Sequence, residues 1–159
     1  MANSTEAISA VNHWRGQCLD NFARVERAII EAFSSHGISN ANPPPKLHES
    51  AAQRTRNLAS ALKQSFGKNP KAAKAAARLL HWSLREKQRN SLAHGCFTVR
   101  GNDAKDWSLV NETVEVKKGV AVSTKTPISA IEAVAFLEAI INERKELESA
   151  LADLKDLSS

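Results

Sequence analysis

Ala7, Val11, Trp14, Cys18, Phe22, Val25, Ile29 and Phe33 recur at spacings of three and four. That spacing lines them along one side of a 3.6-residue helix, so Thr5 to about Ser35 is predicted as one long amphipathic helix. Such a helix, about 45 Å long at 1.5 Å per residue, cannot cover its own apolar stripe. The rest of the chain has to supply further apolar faces, and it supplies most of them as helices. Ser4 or Thr5 is placed to cap the start, and His36-Gly37 to end the run.

Ile38 to Leu47 reads as a loop, because Asn42-Pro43-Pro44-Pro45 cannot continue a helix. Glu49 to about Phe66 is a second helix facing inward through Ala52, Leu58, Ala59 and Leu62. Gly67-Lys68-Asn69-Pro70 breaks it, with Asn69 as N-cap and Pro70 in the first turn of a third helix that runs to about His94. Leu79, Leu80, Leu84 and Leu92, with Trp82, are its expected apolar contacts. Alternating and β-branched residues follow: Cys96 to Arg100, Trp107 to Val110, Thr113 to Lys117 and Val120 to Thr124, with turns at Gly101-Asn102-Asp103 and Lys118-Gly119. This is a meander of two to four strands, which must pack on helices to be stable. Thr126-Pro127 is the predicted start of the last helix, carried inward by Ile131, Val134, Ala135, Leu137 or Glu138, Ile141, Leu147, Leu151 and Leu154. The fold class expected is mainly α: a four- to five-helix up-and-down bundle with a small antiparallel β meander, about residues 96–124, inserted before the last long helix.

At 159 residues the chain is expected to be one domain, residues 1–159, large enough to bury roughly 70% of its unfolded surface without staples. Aromatic residues are 5%, with no tyrosine, and alanine and leucine fill core positions, which favours helix over sheet. Cys18 and Cys96 form no CxxC pair and indicate no disulfide framework. The first nine residues lack a basic segment followed by an apolar core, and no apolar run approaches the ~20 residues of a membrane span. A cytoplasmic protein with no membrane partner is expected.

The net charge of +5 is unevenly spread. From Lys46 to Arg100 there are twelve lysines and arginines against two acids, Glu49 and Glu86, a net +10, which leaves −5 for the remainder. A basic segment of this kind attracts phosphate backbones by Coulomb forces and counterion release. Lys71, Lys74, Arg78, Arg85 and Lys87 are the expected RNA-binding residues. Trp14, Trp82 and Trp107 offer faces on which bases can stack, though core packing is the expected role of Trp14.

That segment ends in Arg89-Asn90-Ser91-Leu92-Ala93-His94-Gly95. The local reading is a helix C-terminus, with Gly95 in the left-handed conformation and His94 facing the last carbonyls. Asn90 and His94 are four apart and share a face with Glu86, whereas Arg89 lies about 140° around from His94 on an ideal helix. Arg89 and His94 can converge only if the helix end unwinds, or if they reach one ligand from two sides. No metal-ligand spacing, glycine-rich phosphate loop or GxSxG element is present.

An arginine followed by a polar residue and, after four intervening positions, a histidine, at the end of a long helix in a small helical domain, resembles the HEPN superfamily. The residues that carry the resemblance are Arg89, Asn90 and His94; at the level of architecture it covers most of the chain. It implies a metal-independent endoribonuclease of the toxin or anti-phage defence type that needs no cofactor. Cleavage would proceed by attack of the RNA 2′-hydroxyl and leave a 2′,3′-cyclic phosphate. His94 would transfer protons, Arg89 would hold the transition-state charge, Asn90 would orient, and Glu86 is a possible helper. Family members commonly dimerise with both motifs facing one cleft, which implies a homodimer, and a cognate antitoxin or defence partner protein is a further possible partner. Some HEPN toxins carry a tyrosine two residues after the histidine; here that position is Cys96, so chemistry that depends on that hydroxyl is excluded. The alternative is a non-catalytic HEPN-like module that binds RNA or a partner protein through the same basic surface.

Overall fold

A computed structural model of the chain describes residues 4–35 and 49–158. Among these the elements run in the order α1 (Thr5–Ser35), α2 (Ala51–Phe66), α3 (Pro70–Ser83), α4 (Glu86–His94), β1 (Cys96–Gly101), β2 (Trp107–Lys117), β3 (Val120–Ser129) and α5 (Ala130–Ala152), followed by a 3-10 turn, Asp153–Ser158. The protein is mainly helical, with a three-stranded antiparallel meander before the last long helix. His36-Gly37 and the proline run lie outside the described residues. No described helix is long and apolar enough to cross a membrane.

The chain packs as two compact units, one built from residues up to Asp20 and from Lys87–Ile140, the other from Asn21–Glu86 and from Ile141 onward. In the first, Ala7, Val11, Trp14 and Cys18 of α1 are buried, as are Leu92 of α4, Trp107 and Leu109 of β2, and Ala133 and Ile140 of α5. Trp14 packs its ring 6.1 Å from Trp107 and 6.2 Å from Phe136 and donates its indole N–H to the Ala133 carbonyl at 2.8 Å. Burial pushes the Cys18 thiol up to about 12. In the second unit, α2 and α3 pack together, and Leu58, Leu62 and Leu79 are buried along with a run of alanines. Phe22 and Trp82 meet at 5.3 Å. All three tryptophans are core residues, which removes them as base-stacking platforms.

The caps expected at Ser4 and Asn69 form, and the second helix starts at Ala51, not Glu49, on a Ser50 cap. Ser4 Oγ accepts the Ala7 N–H, Ser50 Oγ the Gln53 N–H, and Asn69 Oδ1 those of Lys71 and Ala72. Elsewhere the structure departs from expectation. The predicted helix from Pro70 to His94 is two helices, because residues 84 and 85 form a turn with 3-10-type bonds. Leu84 N–H bonds to His81 O and Arg85 N–H to Trp82 O, while Ser83 Oγ takes up the Leu80 carbonyl. That turn leaves Leu84 73% exposed and Leu80 38%, so neither is the core contact expected of it. Trp107–Lys117 is one strand, not two, and the meander reaches Ser129 instead of residue 124. Thr126 and Pro127 do not open a helix; they pair with Asn111 and Val110 at the sheet edge, where a residue without an N–H is tolerated. α5 starts instead on a reciprocal cap: Glu132 accepts from the Ser129 N–H at 2.8 Å while Ser129 Oγ accepts from the Glu132 N–H at 3.3 Å. With that start, Ala133 and Ile140 face inward, and Ile131 and Val134, predicted as core, are 83% and 57% exposed.

Candidate functional site

Helix α4 carries the Arg89, Asn90 and His94 side chains, and Leu92, 3% exposed, anchors it in its unit. Two residues that pattern reading does not single out hold its C-terminal end. Arg15 of α1 donates from Nε to the Leu92 carbonyl at 2.7 Å and from Nη2 to the Ala93 carbonyl at 3.0 Å, with its guanidinium 4.6 Å over the Phe97 ring. These carbonyls are among those a helix end leaves without an intrahelical partner, and a cation there also opposes the negative end of the helix dipole. Asn111 of β2, 3% exposed, donates Nδ2 to Ser91 Oγ at 2.8 Å and to the Ser91 carbonyl at 3.2 Å. The expected capping role of His94 therefore belongs to Arg15. The sequence holds a signal for Asn111, since Trp107, Leu109 and Asn111 occupy alternate, inward positions of one strand and the last is polar. It holds none for Arg15.

Gly95 is also not what its position suggests. Among the described residues the glycines with positive φ are Gly101 and Gly119, so Gly95 is not the left-handed terminator expected. Space requires it: a Cβ on Gly95 would lie 1.9 Å from Asn111 Oδ1 and 2.5 Å from the Ser91 carbonyl oxygen. The helix runs on into it, with the Gly95 N–H bonded to the Ser91 carbonyl at 2.9 Å.

On this clamped end, Asn90 and His94 are exposed and Arg89 is half-buried. Arg89 Nη1 donates to Asn90 Oδ1 at 3.1 Å, so the guanidinium and the amide form one polar unit. Because the helix does not unwind before Gly95, Arg89 and His94 keep their different bearings around the axis. Only a ligand reached from two sides, or a second copy, brings them to one phosphate. Glu86, the first residue of α4, packs with the other unit, where it lines a cavity of about 10 Å³ with Glu26, Thr55 and Trp82. Among the described residues no group of three or more His, Cys, Asp or Glu side chains is gathered as a metal site.

The basic residues are placed less simply than their count suggests. Residues 1–20 and 87–140 carry eight cations and eight acids, so the whole +5 belongs to the other unit. There the basic residues of α3 and the turn after it are matched by acids of residues 143–153: Lys74 to Asp153 at 3.9 Å, Arg78 to Glu146 at 2.7 Å, and Arg85 Nε to Glu143 at 3.0 Å. Lys71 is exposed in the first turn of α3, and Lys87 is exposed on α4. The acids behind the −5 remainder thus offset Lys74, Arg78 and Arg85 among the expected RNA-binding cations. The Arg85 guanidinium, by its hydrogen bonds and then its charge, holds the Glu143 carboxyl below the usual carboxylate range despite partial burial. A group depressed in the folded state stabilises fully above its unfolded pKa, and the stabilisation is lost as pH falls through the folded value. Glu143→Gln is therefore expected to melt below the wild type at neutral pH, with the gap closing as pH drops below about 4, the ordinary carboxylate range. Thermal melts of both proteins from pH 7 to pH 3 check this; a constant gap would mean that the pair does not govern the acid limb.

Compared with known protein families, with curated proteins and with solved structures, the chain matches none.

Proposed function

We propose that this protein is a metal-independent endoribonuclease of the HEPN toxin or anti-phage defence type, acting as a homodimer on RNA. The observation that carries the reading is the Arg89–Asn90 hydrogen-bonded pair and the exposed His94 on one helix whose end is fixed by Arg15 and Asn111. Strand cleavage needs a proton taken from the 2′-hydroxyl, charge held on the phosphoryl oxygens as the 2′-oxygen bonds to phosphorus, and a proton given to the departing 5′-oxygen. Imidazole exchanges protons near neutral pH. Guanidinium binds phosphoryl oxygens through paired donors and keeps its proton. In this reading His94 transfers protons, Arg89 holds the developing charge, and Asn90 fixes the guanidinium through its Oδ1. The products are a 2′,3′-cyclic phosphate and a 5′-hydroxyl, with no cofactor consumed. Catalytic groups on a rigid, clamped element suit such chemistry better than the same groups on a loop.

The test is cleavage of mixed cellular RNA by purified protein in excess EDTA, with the product ends analysed. Cyclic phosphate ends are expected; products ending in a 3′-hydroxyl, or activity abolished by EDTA, would sink the mechanism. One observation favours a second reading, a non-catalytic module that binds RNA or a partner protein. The α3 cations face acids of the same chain, which leaves less positive surface for substrate than a processive grip on RNA would use.

A further inference from the structure

Among the described residues, nothing covers the outer half of the β2–β3 hairpin. Every residue from 114 to 127 is exposed, on both faces of the ribbon, and four are valines: Val114 at 65%, Val116 at 75%, Val120 at 63% and Val122 at 36%. The turn is tight, Lys118 and Gly119 both having positive φ, so the strands stay in register to the tip. In the order β1-β2-β3 the third strand is an edge, and among the described residues nothing pairs with its outer side. A two-stranded ribbon is marginal alone in water, and a long open edge rich in valine is a template for another strand.

We propose that β3 pairs antiparallel with β3 of a second copy of this chain, joining two meanders into one six-stranded sheet. The register follows from where pairing must stop. The turn ends it on one side, and Pro127, with no N–H to give, ends it on the other. The stretch left, residues 120–126, has Ser123 at its centre, and a twofold axis there places Ser123 opposite the partner's Ser123. Val122 then faces the partner's Thr124, and Ala121 faces the partner's Lys125. The charges fit this arrangement. Lys125 is the only cation of β3, and it meets an alanine, not its own copy, while Glu112 stays 3.7 Å from it within each protomer. Because Val116 pairs with Ala121, the stem of the partner's Lys125 extends the apolar row over both. The contact is isologous, so it closes at two copies. Its only link to the ribonuclease reading is that both invoke a homodimer; a ligand reached from two sides serves that reading without one, and the mass is measured without RNA, so either can fail while the other stands.

The experiment is the solution mass of the full chain by sedimentation, for wild type, Ala121→Lys and Ala121→Glu. Residue 121 is exposed, so neither change disturbs the fold, which circular dichroism verifies. A wild-type dimer is expected. Ala121→Lys sets a like charge against the partner's Lys125 twice per dimer and weakens it about tenfold, whereas Ala121→Glu does not weaken it. In a Cys96→Ser background, Ser123→Cys is expected to form a disulfide-linked dimer under mild oxidation, since Cα atoms opposed across an antiparallel pair are within bridging distance. A monomeric wild type overturns the proposal, including one that dimerises only on RNA or holds another protein. So does a dimer that Ala121→Lys leaves intact and Ser123→Cys does not cross-link.

Discussion

Replacing His94 with alanine is expected to lower RNA cleavage at least ~100-fold, the usual size of a proton-transfer contribution, while leaving the fold unchanged. The structural half of that expectation rests on exposure. Among the described residues the His94 imidazole has no hydrogen bond or ion pair, and the helix end it stands on is held by Arg15, Asn111 and Leu92 instead. Losing this exposed ring leaves no partner unsatisfied among the described residues, so stability should change by no more than surface substitutions normally change it, within about 0.5 kcal/mol. Arg89→Lys should also lower activity, because an ammonium keeps the charge but not the paired donors, nor the geometry of the bond to Asn90 Oδ1. Equal cleavage by wild type and His94→Ala would place the activity elsewhere or in a contaminant. No cleavage by either, with RNA still bound in a salt-dependent way, would favour the binding module.

How far the chain can be read without coordinates depends on whether a feature is local. The long stripe of α1 and the caps at Ser4 and Asn69 depend on residues within one turn of each other, and they stand as read. The start of α5 was read at Thr126-Pro127, and the rejection of that cap in favour of Ser129 with Glu132 depends on strand pairing with β2. The break between α3 and α4 has no glycine or proline to announce it; Ser83 and the Arg85–Glu143 pair lie at it, and the second of these is a contact 58 residues away. The basic run was counted correctly and still overstated as a surface, because its counterions sit on a helix that begins more than 40 residues later. The candidate site divides the same way. Arg89, Asn90 and His94 are visible as a string, whereas the arginine and asparagine that fix their helix come from α1 and β2, elements a local pattern cannot connect to it.

Gly95→Ala carries the second large effect, and it tests that long-range support directly. The added Cβ would meet Asn111 Oδ1 at 1.9 Å and the Ser91 carbonyl at 2.5 Å, both far inside van der Waals contact. Neither neighbour yields easily: the carbonyl belongs to the helix backbone, and the amide is buried and tied by its Nδ2 to Ser91. Overpacking of this kind destabilises by about 1–3 kcal/mol, and each kcal/mol lowers the melting temperature of a chain this size by about 2–4 °C. The origin can be separated from a general intolerance at the helix end. Asn111→Ala removes the amide, whose Oδ1 has no hydrogen-bond partner among the described residues, and opens room for the new methyl. It also forfeits the two bonds to Ser91, so alone it destabilises as well. In the double variant the clash with the amide is gone, and the combined loss should be smaller than the sum of the two single losses by 0.5 kcal/mol or more, the coupling typical of residues in contact. Strictly additive losses would mean that Gly95 is needed for its backbone alone. The same variant bears on function: a displaced helix end moves His94 without altering it, and a shift of about 1 Å in a positioned group is enough to lower a rate on the order of 100-fold. Gly95→Ala should therefore lose cleavage beyond its loss of folded protein, and the double variant should recover part of it.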